Sequence, residues 1–359
     1  MLNYSIHTYE IATQLSFDEY WEIYNILQAF NPSIEHISYP YPTGRTSHTF
    51  YFRHLSGIYG IDSIRLQRIE TTQSILTSNI HIIINPYNTI HKQKHSDANI
   101  IDSNMIAEAL HEINRILGTI IPHHILERLE LSRLDFCVNL PFPTQQQAEE
   151  YIQLLRLGIP PKALTEHLHY DKKQHRQLPF RESILLKCFS YSFQIYSKYR
   201  QMEVVMPHIN TVSAQGVVRL ELRASKPKLR SLLKKYNITG THTTAILSEA
   251  YIPLIARSEI CNLVSSMVGY GDFFTFNEIK ERITTSNIQT RTRNKSLEII
   301  HCFSGKKYSS DFLKNLNISQ RDWKNILTTF NKLECSPIPI PPTYSLKTFP
   351  GVASWDRYF

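Results

Sequence analysis

Three strand-like runs of this 359-residue chain carry the side chains that phosphoryl transfer needs. In RLDFCVNL, residues 133 to 140, alternation sets Leu134, Phe136, Val138 and Leu140 on one face and Arg133, Asp135, Cys137 and Asn139 on the other. In VVRLELRAS, 217 to 225, Val218, Leu220 and Leu222 oppose Arg219, Glu221 and Arg223. In FQIYSKY, 193 to 199, Phe193, Ile195 and Ser197 oppose Gln194, Tyr196 and Lys198. If the three are neighbours in one sheet, Asp135, Glu221, Tyr196 and Lys198 converge. Two carboxylates are hard oxygen ligands for Mg²⁺ or Mn²⁺, and such an ion would polarise a phosphodiester. A phenol, with an ordinary pKa of about 10, attacks phosphorus when a metal or a cation such as Lys198 favours the phenolate. Arg219 and Arg223 would grip backbone phosphates through forked hydrogen bonds. Ordinary cross-strand pairing explains the same residues without chemistry, because tyrosine is a good strand former and Arg faces Glu on many exposed sheets.

The elements that must position these residues follow from periodicity and caps. Residues 2 to 12 read as a strand, and Ser16 with Glu19 forms a capping box for a helix to about Phe30. Strand-like runs follow at 46 to 54, 60 to 70 and 78 to 86, and Asp102 with Ser103 introduces a helix ending at Gly118. From Leu129 the order repeats: the strand RLDFCVNL, a helix after Thr144 ending at Gly158, strands across 166 to 202, the strand VVRLELRAS, and the basic helix PKLRSLLKKY. The expected fold is α+β, a duplicated strand-helix-strands-helix unit forming a largely antiparallel sheet with helices on one face, plus a helical C-terminal domain. Expected boundaries are a non-catalytic unit at 1 to 122, a catalytic unit at 123 to 240, helices over 241 to 335 and a proline-rich extended arm at 336 to 359.

Within the helical part, helices are expected at 245 to 268, 276 to 285, 294 to 303, 309 to 315 and 319 to 333. The last pair reads as helix, turn, helix, with Ser319 and Asp322 as the cap of the second. Its Trp323, Ile326, Leu327 and Phe330 share one face, while Arg321, Lys324, Asn325, Thr328 and Lys332 lie opposite. That pattern suits either a groove-reading helix or an amphipathic helix in a small bundle.

Charge adds direction. The chain carries 39 Lys and Arg against 31 Asp and Glu, a net +8, which favours polyanionic partners. Positive charge concentrates in Arg219, Arg223, Lys226, Lys228, Arg230, Lys234 and Lys235, around one strand and the helix after it. Five widely spaced cysteines without CxxC suggest neither a disulfide framework nor a zinc site. No run approaches the ~18 apolar residues of a membrane span, so a soluble, cytoplasmic protein is expected. His167-Leu168-His169 fits the His-hydrophobic-His metal pattern literally, though one such triplet is expected by chance among 16 histidines. There is no glycine-rich phosphate loop, no GxSxG and no helicase-type motor sequence.

The series RLDFCVNL, FQIYSKYRQME and VVRLELRASKPKLRSLLKKY resembles the replication initiation proteins of small rolling-circle plasmids and filamentous phages, the Rep_trans and phage gene II-like group. Their usual pattern is R-x-D, then (I/V/F)-Y-x-K, then R-x-E-x-R before a helix; the match covers about residues 129 to 240, with a fainter echo in SNIHIIINPYNTI. The resemblance implies a nicking and closing enzyme. Such proteins cut one strand at an origin through a tyrosine, stay linked to the 5′ phosphate, leave a 3′ hydroxyl as primer and later rejoin the ends with Mg²⁺ or Mn²⁺. Carried over, Asp135 and Glu221 would be metal ligands, Lys198 a phosphate or phenolate stabiliser, and Tyr196 or Tyr199 the nucleophile; strand parity favours Tyr196. The basic residues Arg133, Arg219, Arg223, Lys226, Lys228, Arg230, Lys234, Lys235, Arg321 and Lys324 would contact origin DNA. A host helicase and a second copy of the chain are candidate partners. Two alternatives stand beside this reading: an origin-binding or repressor protein on the same fold without chemistry, and a metal nuclease that uses water and leaves no adduct.

Overall fold

The computed structural model describes residues 2–71, 74–93, 99–171, 176–178, 183–205, 211–240, 242–303 and 318–359. In chain order it places β1 (Tyr4–Leu15), α1 (Phe17–Ala29), β2 (Ser33–Pro40), β3 (Thr46–Arg53), β4 (Ile61–Glu70) and β5 (Ile75–Ile84). Then come α2 (Pro86–His91), α3 (Ile106–Ile120), α4 (His123–Leu126), β6 (Glu130–Pro141) and α5 (Gln145–Arg156). The strands β7 (Thr165–Glu166), β8 (His169–Asp171), β9 (Arg176–Leu178), β10 (Ser183–Lys187) and β11 (Tyr191–Ser197) lead to α6 (Lys198–Val205), β12 (Val217–Ser225) and α7 (Lys226–Lys235). The remainder is α8 (Tyr251–Val268), β13 (Phe273–Phe274), α9 (Phe276–Thr285), α10 (Thr290–Cys302), α11 (Gln320–Lys332), β14 (Thr348–Phe349) and α12 (Trp355–Tyr358).

Ten strands form one sheet in the order β2-β3-β4-β5-β1-β6-β12-β11-β10-β7. The registers of β1 with β5, of β2 to β5 with one another, and of β10 with β11 and β7 are all antiparallel. Duplication is written into that order. Each half opens on a strand followed by a helix, β1 then α1 and β6 then α5, and that strand lies beside the last strand of its own half, β5 or β12. The remaining strands of the sheet follow outward in reverse, β4, β3 and β2 on one side and β11, β10 and β7 on the other, while β8 and β9 pair with each other in a separate two-stranded sheet. The fold is therefore α+β with a large antiparallel sheet and a duplicated unit, as the element order led us to expect.

Two compact units emerge from the chain's internal contacts: Tyr4–Cys137 with Arg223–Ala256, and Met1–Asn3 with Val138–Leu222 and Arg257–Phe359. In the first, Ile64 and Leu66 of β4, Ile80, Ile82 and Ile84 of β5, Ile23 and Leu27 of α1 and Ile106 and Ala109 of α3 are fully buried. The capping box at the start of α1 holds: Ser16 N donates to Glu19 Oε2 at 2.7 Å and Glu19 N to Ser16 Oγ at 3.3 Å. Two spare backbone donors are thereby satisfied where the helix begins.

In the second unit, Leu140, Phe193, Ile195, Val218, Leu220 and Leu222 are fully buried with Tyr151, Ile152 and Leu155 of α5. Trp323, Ile326, Leu327 and Phe330 of α11 are buried, while Arg321, Lys324, Asn325 and Thr328 are exposed. That split is the one the heptad spacing dictates. Residues 309 to 315, read from sequence as the preceding helix, lie outside the described residues, and α10 starts at Thr290, earlier than position 294.

The proline-rich tail is not an extended arm. Ser336 and the run Pro337 to Pro341 are buried, and the Ser336 hydroxyl donates to Val268 O at 2.8 Å. β14 pairs with β13, and the Trp355 indole, fully buried, donates to the Tyr151 hydroxyl at 2.8 Å. Prolines cannot donate to a ladder, which explains why the segment joins the unit through isolated bridges and serine hydroxyls and adds no strand there. Among the described residues no helix is long and apolar enough to cross a membrane.

Candidate active site

β6 obeys its predicted alternation on the apolar side: Leu134, Phe136, Val138 and Leu140 are fully buried. The polar side, expected to be open, is buried too. Asp135 and Arg219 are fully buried, Glu221 is 4 % exposed, Tyr196 4 % and Lys198 2 %. Buried polar groups are costly unless they find partners, as Asp135 does in the first unit and Tyr196 with Glu221 in the second.

In the first unit Asp135 is a hub. Its Oδ2 accepts from the Thr8 hydroxyl at 2.7 Å, and its Oδ1 lies 3.2 Å from Arg133 Nε and 3.2 Å from Arg223 Nε. Arg133 reaches on to Glu10 Oε2 at 3.4 Å, and Glu10 Oε1 meets His81 Nδ1 at 2.8 Å, the Ser132 hydroxyl at 3.0 Å and Arg65 at 3.9 Å. Burial works against the charge on Glu10, but the hydrogen bond and charge of His81 together with Arg133 and Ser132 outweigh it and lower its pKa to about 2. Arg133 and Arg223, expected on DNA, are thus tied to carboxylates, although Arg223 keeps about half its side chain exposed. Lys226 pairs with Glu130. Arg230, Lys234 and Lys235 of α7 stand exposed opposite the buried Leu229, Leu232 and Leu233, and Lys228 is half-buried.

In the second unit the Tyr196 hydroxyl donates to Glu221 Oε2 at 3.2 Å, so the strand carrying Y-x-K and the strand carrying R-x-E-x-R bring these two groups together. Arg219 donates from Nε to Asn139 Oδ1 at 2.8 Å and is fully buried, so it is not available to grip a phosphate as expected. The placement of Lys198 differs from strand parity. β11 ends at Ser197 because Ser197 Oγ accepts from Arg200 N at 3.3 Å, the geometry of an N-cap, and Lys198 is the first residue of α6. Its ammonium donates to Gln201 Oε1 at 3.0 Å. Tyr199 is therefore helical as well. It is half-exposed, and its phenol meets Glu203, one turn on, whose carboxylate raises the phenol's pKa.

Gln145, which sequence reasoning passed over, holds this corner together. Its Nε2 donates to Ser197 Oγ at 2.8 Å, and its Oε1 accepts from Gly216 N at 3.0 Å. The N-terminus of α5 is thus stitched to the end of β11 and the entry to β12. Gly216 has φ +73°, and a Cβ there would lie 2.1 Å from the Phe142 carbonyl oxygen, so only glycine permits that approach. Position alone hinted at Gln145, the first residue after the helix cap Thr144. Thr8 left no signal, since it lies 127 residues from Asp135.

As arranged, the residues do not fit a divalent ion. Asp135 is held by two guanidinium groups and a hydroxyl, and Glu221 accepts a phenol. Among the described residues no group of three or more His, Cys, Asp or Glu is placed to hold a metal. The His167-Leu168-His169 triplet straddles the start of β8, and the side chain of His169 lies outside the described residues.

No protein-family model matches the chain, and no curated protein matches it. Among solved structures it is similar to a rolling circle replication initiator protein from Geobacillus stearothermophilus, with 10% identity, TM-score 0.35 and coverage of 95% of this chain and 99% of that one. It is also similar to the di-domain ARO/CYC StfQ from the steffimycin biosynthetic pathway, with 10% identity, TM-score 0.22 and coverage of 72% and 97%. At these scores neither likeness distinguishes one function from another.

Proposed function

We propose that this chain nicks and rejoins one DNA strand at a replication origin through Tyr196. One observation carries the reading: the Tyr196 phenol donates to the Glu221 carboxylate at 3.2 Å. A hydroxyl in contact with a base is the arrangement of an activated nucleophile, and it arises here between two strands whose motifs resemble those of rolling-circle initiators. In the step, the phenol gives its proton to Glu221, the Tyr196 oxygen bonds to phosphorus, and the P–O3′ bond breaks. The departing 3′ oxygen takes up a proton from solvent water and leaves as the hydroxyl that primes synthesis, and Glu221 returns its proton to solvent. Exposed Arg230, Lys234 and Lys235 supply the positive surface that a DNA strand requires. Strand separation falls to a separate helicase, since the chain contains no motor motif.

The Mg²⁺ or Mn²⁺ requirement implied by the resemblance would oblige Asp135 to release Arg133 and Arg223, and Glu221 to release Tyr196. The step above is therefore written without the ion. Incubating the protein with single-stranded origin DNA, with Mn²⁺ or with EDTA, should give a protein-linked band on a denaturing gel that disappears in Tyr196→Phe. Loss of the band in EDTA alone would mean that the carboxylates exchange partners when DNA binds. An adduct that survives Tyr196→Phe and vanishes in Tyr199→Phe would move the nucleophile to α6.

A second reading is favoured by the burial of the site. A phenol only 4 % exposed and an aspartate held by two arginines also suit an origin-binding protein that does no chemistry. Such a protein would bind DNA with a steep salt dependence and form no adduct in any metal.

A further inference from the structure

Away from Tyr196, two helices of the second unit face each other across a small groove that Ile299 and Ile326 line together with polar and cationic side chains. Arg291, Thr292, Lys295 and Ser296 of α10 line one wall, and Asn325 and Thr329 of α11 line the other, around about 170 Å³. At about 30 Å³ per water, that is room for a tetrahedral anion with its hydration.

Its walls are rich in donors. Ser296 and Thr292 contribute hydroxyl-bearing side chains to the lining. Arg291 is exposed and has no ion-pair partner among the described residues. Lys295 has one, Asp322 at 3.9 Å, with both side chains about half exposed, a pairing that contributes little.

We propose that this groove is a phosphate site that seats the DNA backbone, with Arg291 and Lys295 supplying charge and Thr292, Ser296 and Asn325 supplying directed hydrogen bonds. Two cations at the groove disfavour a cationic ligand and favour an anionic one. A guanidinium beside an ammonium and hydroxyls matches the several acceptor oxygens of a phosphate. The wider surface selects a polyanion over a small phosphate. α10 and α11 together carry six Lys or Arg, namely Arg291, Arg293, Lys295, Arg321, Lys324 and Lys332, against the acids Glu298 and Asp322. Arg321, Lys324 and Thr328 are exposed along α11 beside the groove. α10 and α11 thus supply the two walls together, where the sequence left open a groove-reading helix or an amphipathic helix in a small bundle.

This inference rests on the DNA reading above, and the test separates the two. Binding of a short labelled duplex to the full chain is followed by fluorescence anisotropy between about 50 and about 200 mM salt. Arg291→Ala with Lys295→Ala should weaken binding about tenfold at the lower salt and make the slope of log K against log salt shallower by about one. Ser296→Ala, which keeps both charges, should weaken binding about threefold, and thermal melting confirms that each variant is folded. Unchanged affinity and slope in a folded double variant would overturn the proposal. So would binding of inorganic phosphate that the double variant loses without any change toward DNA, since that describes a small-anion site. A missing adduct with the expected slope change removes the nicking chemistry and leaves the groove standing; an adduct with an unchanged slope does the reverse.

Discussion

β5 enters α2 through the cap Asn85 and Pro86, and β12 enters α7 through the cap Ser225, Lys226 and Pro227. Four residues before the cap stands His81 in the first case and Glu221 in the second. Each reaches a polar group, but the proton accounting differs. His81 meets the carboxylate of Glu10, which Arg133 and Arg65 also approach, so the acid is a counter-ion among cations. Glu221 meets a neutral phenol that still has a proton to give. The comparison teaches that one junction can be furnished as a charge-balanced strut or as a donor–acceptor pair. Only the second pairs a carboxylate with a phenol, the arrangement that the proposed nucleophilic step uses.

The first way to break this contrast is to remove the strut. Glu10→Ala leaves Arg133 and His81 without their buried anion and should cost about 3 kcal/mol, read as a lowered denaturation midpoint with an unchanged m-value. The same acid should show in a pH titration of stability. Its folded pKa of about 2 lies below the ordinary 4.5, so its contribution is complete above pH 4.5 and is lost as pH falls toward 2. That component, about 3 kcal/mol from the size of the shift, should be missing from Glu10→Gln and present in Glu221→Gln.

On the side of the proposed chemistry, Tyr196→Phe removes the phenol's hydrogen bond to Glu221 and should cost about 1 to 2 kcal/mol while abolishing the adduct. Gln145→Ala should cost about 1 kcal/mol and reduce adduct yield without shifting the attack site, because Gln145 positions the corner without touching the phenol. Smallest of all, Tyr199→Phe removes a half-exposed phenol whose partner is Glu203 and should change stability by less than about 0.5 kcal/mol and leave the adduct intact.

Local rules located much of this in the sequence. Ser16 with Glu19, Thr144 and Ser319 announce their helices because caps act within three residues, and the parity of β6, β12 and α11 follows from period alone. Ser197 obeys the same rule and was hidden because the tyrosines around it continue a strand pattern, so Lys198 and Tyr199 read as strand residues while they begin a helix. The remaining differences come from distance along the chain. Thr8, Arg133 and Arg223 converge on Asp135 from three strands, and their meeting turns an apparent metal ligand into the hub of an ion-pair network. Likewise the prolines of the tail signal irregular backbone truthfully, yet whether such backbone hangs free or packs is decided by Tyr151 and Val268, far upstream.

The central claim is that Tyr196 is the nucleophile, and trypsin isolates the question. Cleavage after Lys187 and Lys198 releases one peptide holding Tyr191 and Tyr196 and separates it from Tyr199. After reaction with origin DNA and nuclease trimming, mass spectrometry of this peptide should show a nucleotide-phosphate adduct that fragmentation assigns to Tyr196. An adduct on Tyr191 or Tyr199, or a peptide that remains unmodified with origin DNA in both Mn²⁺ and EDTA, would contradict it.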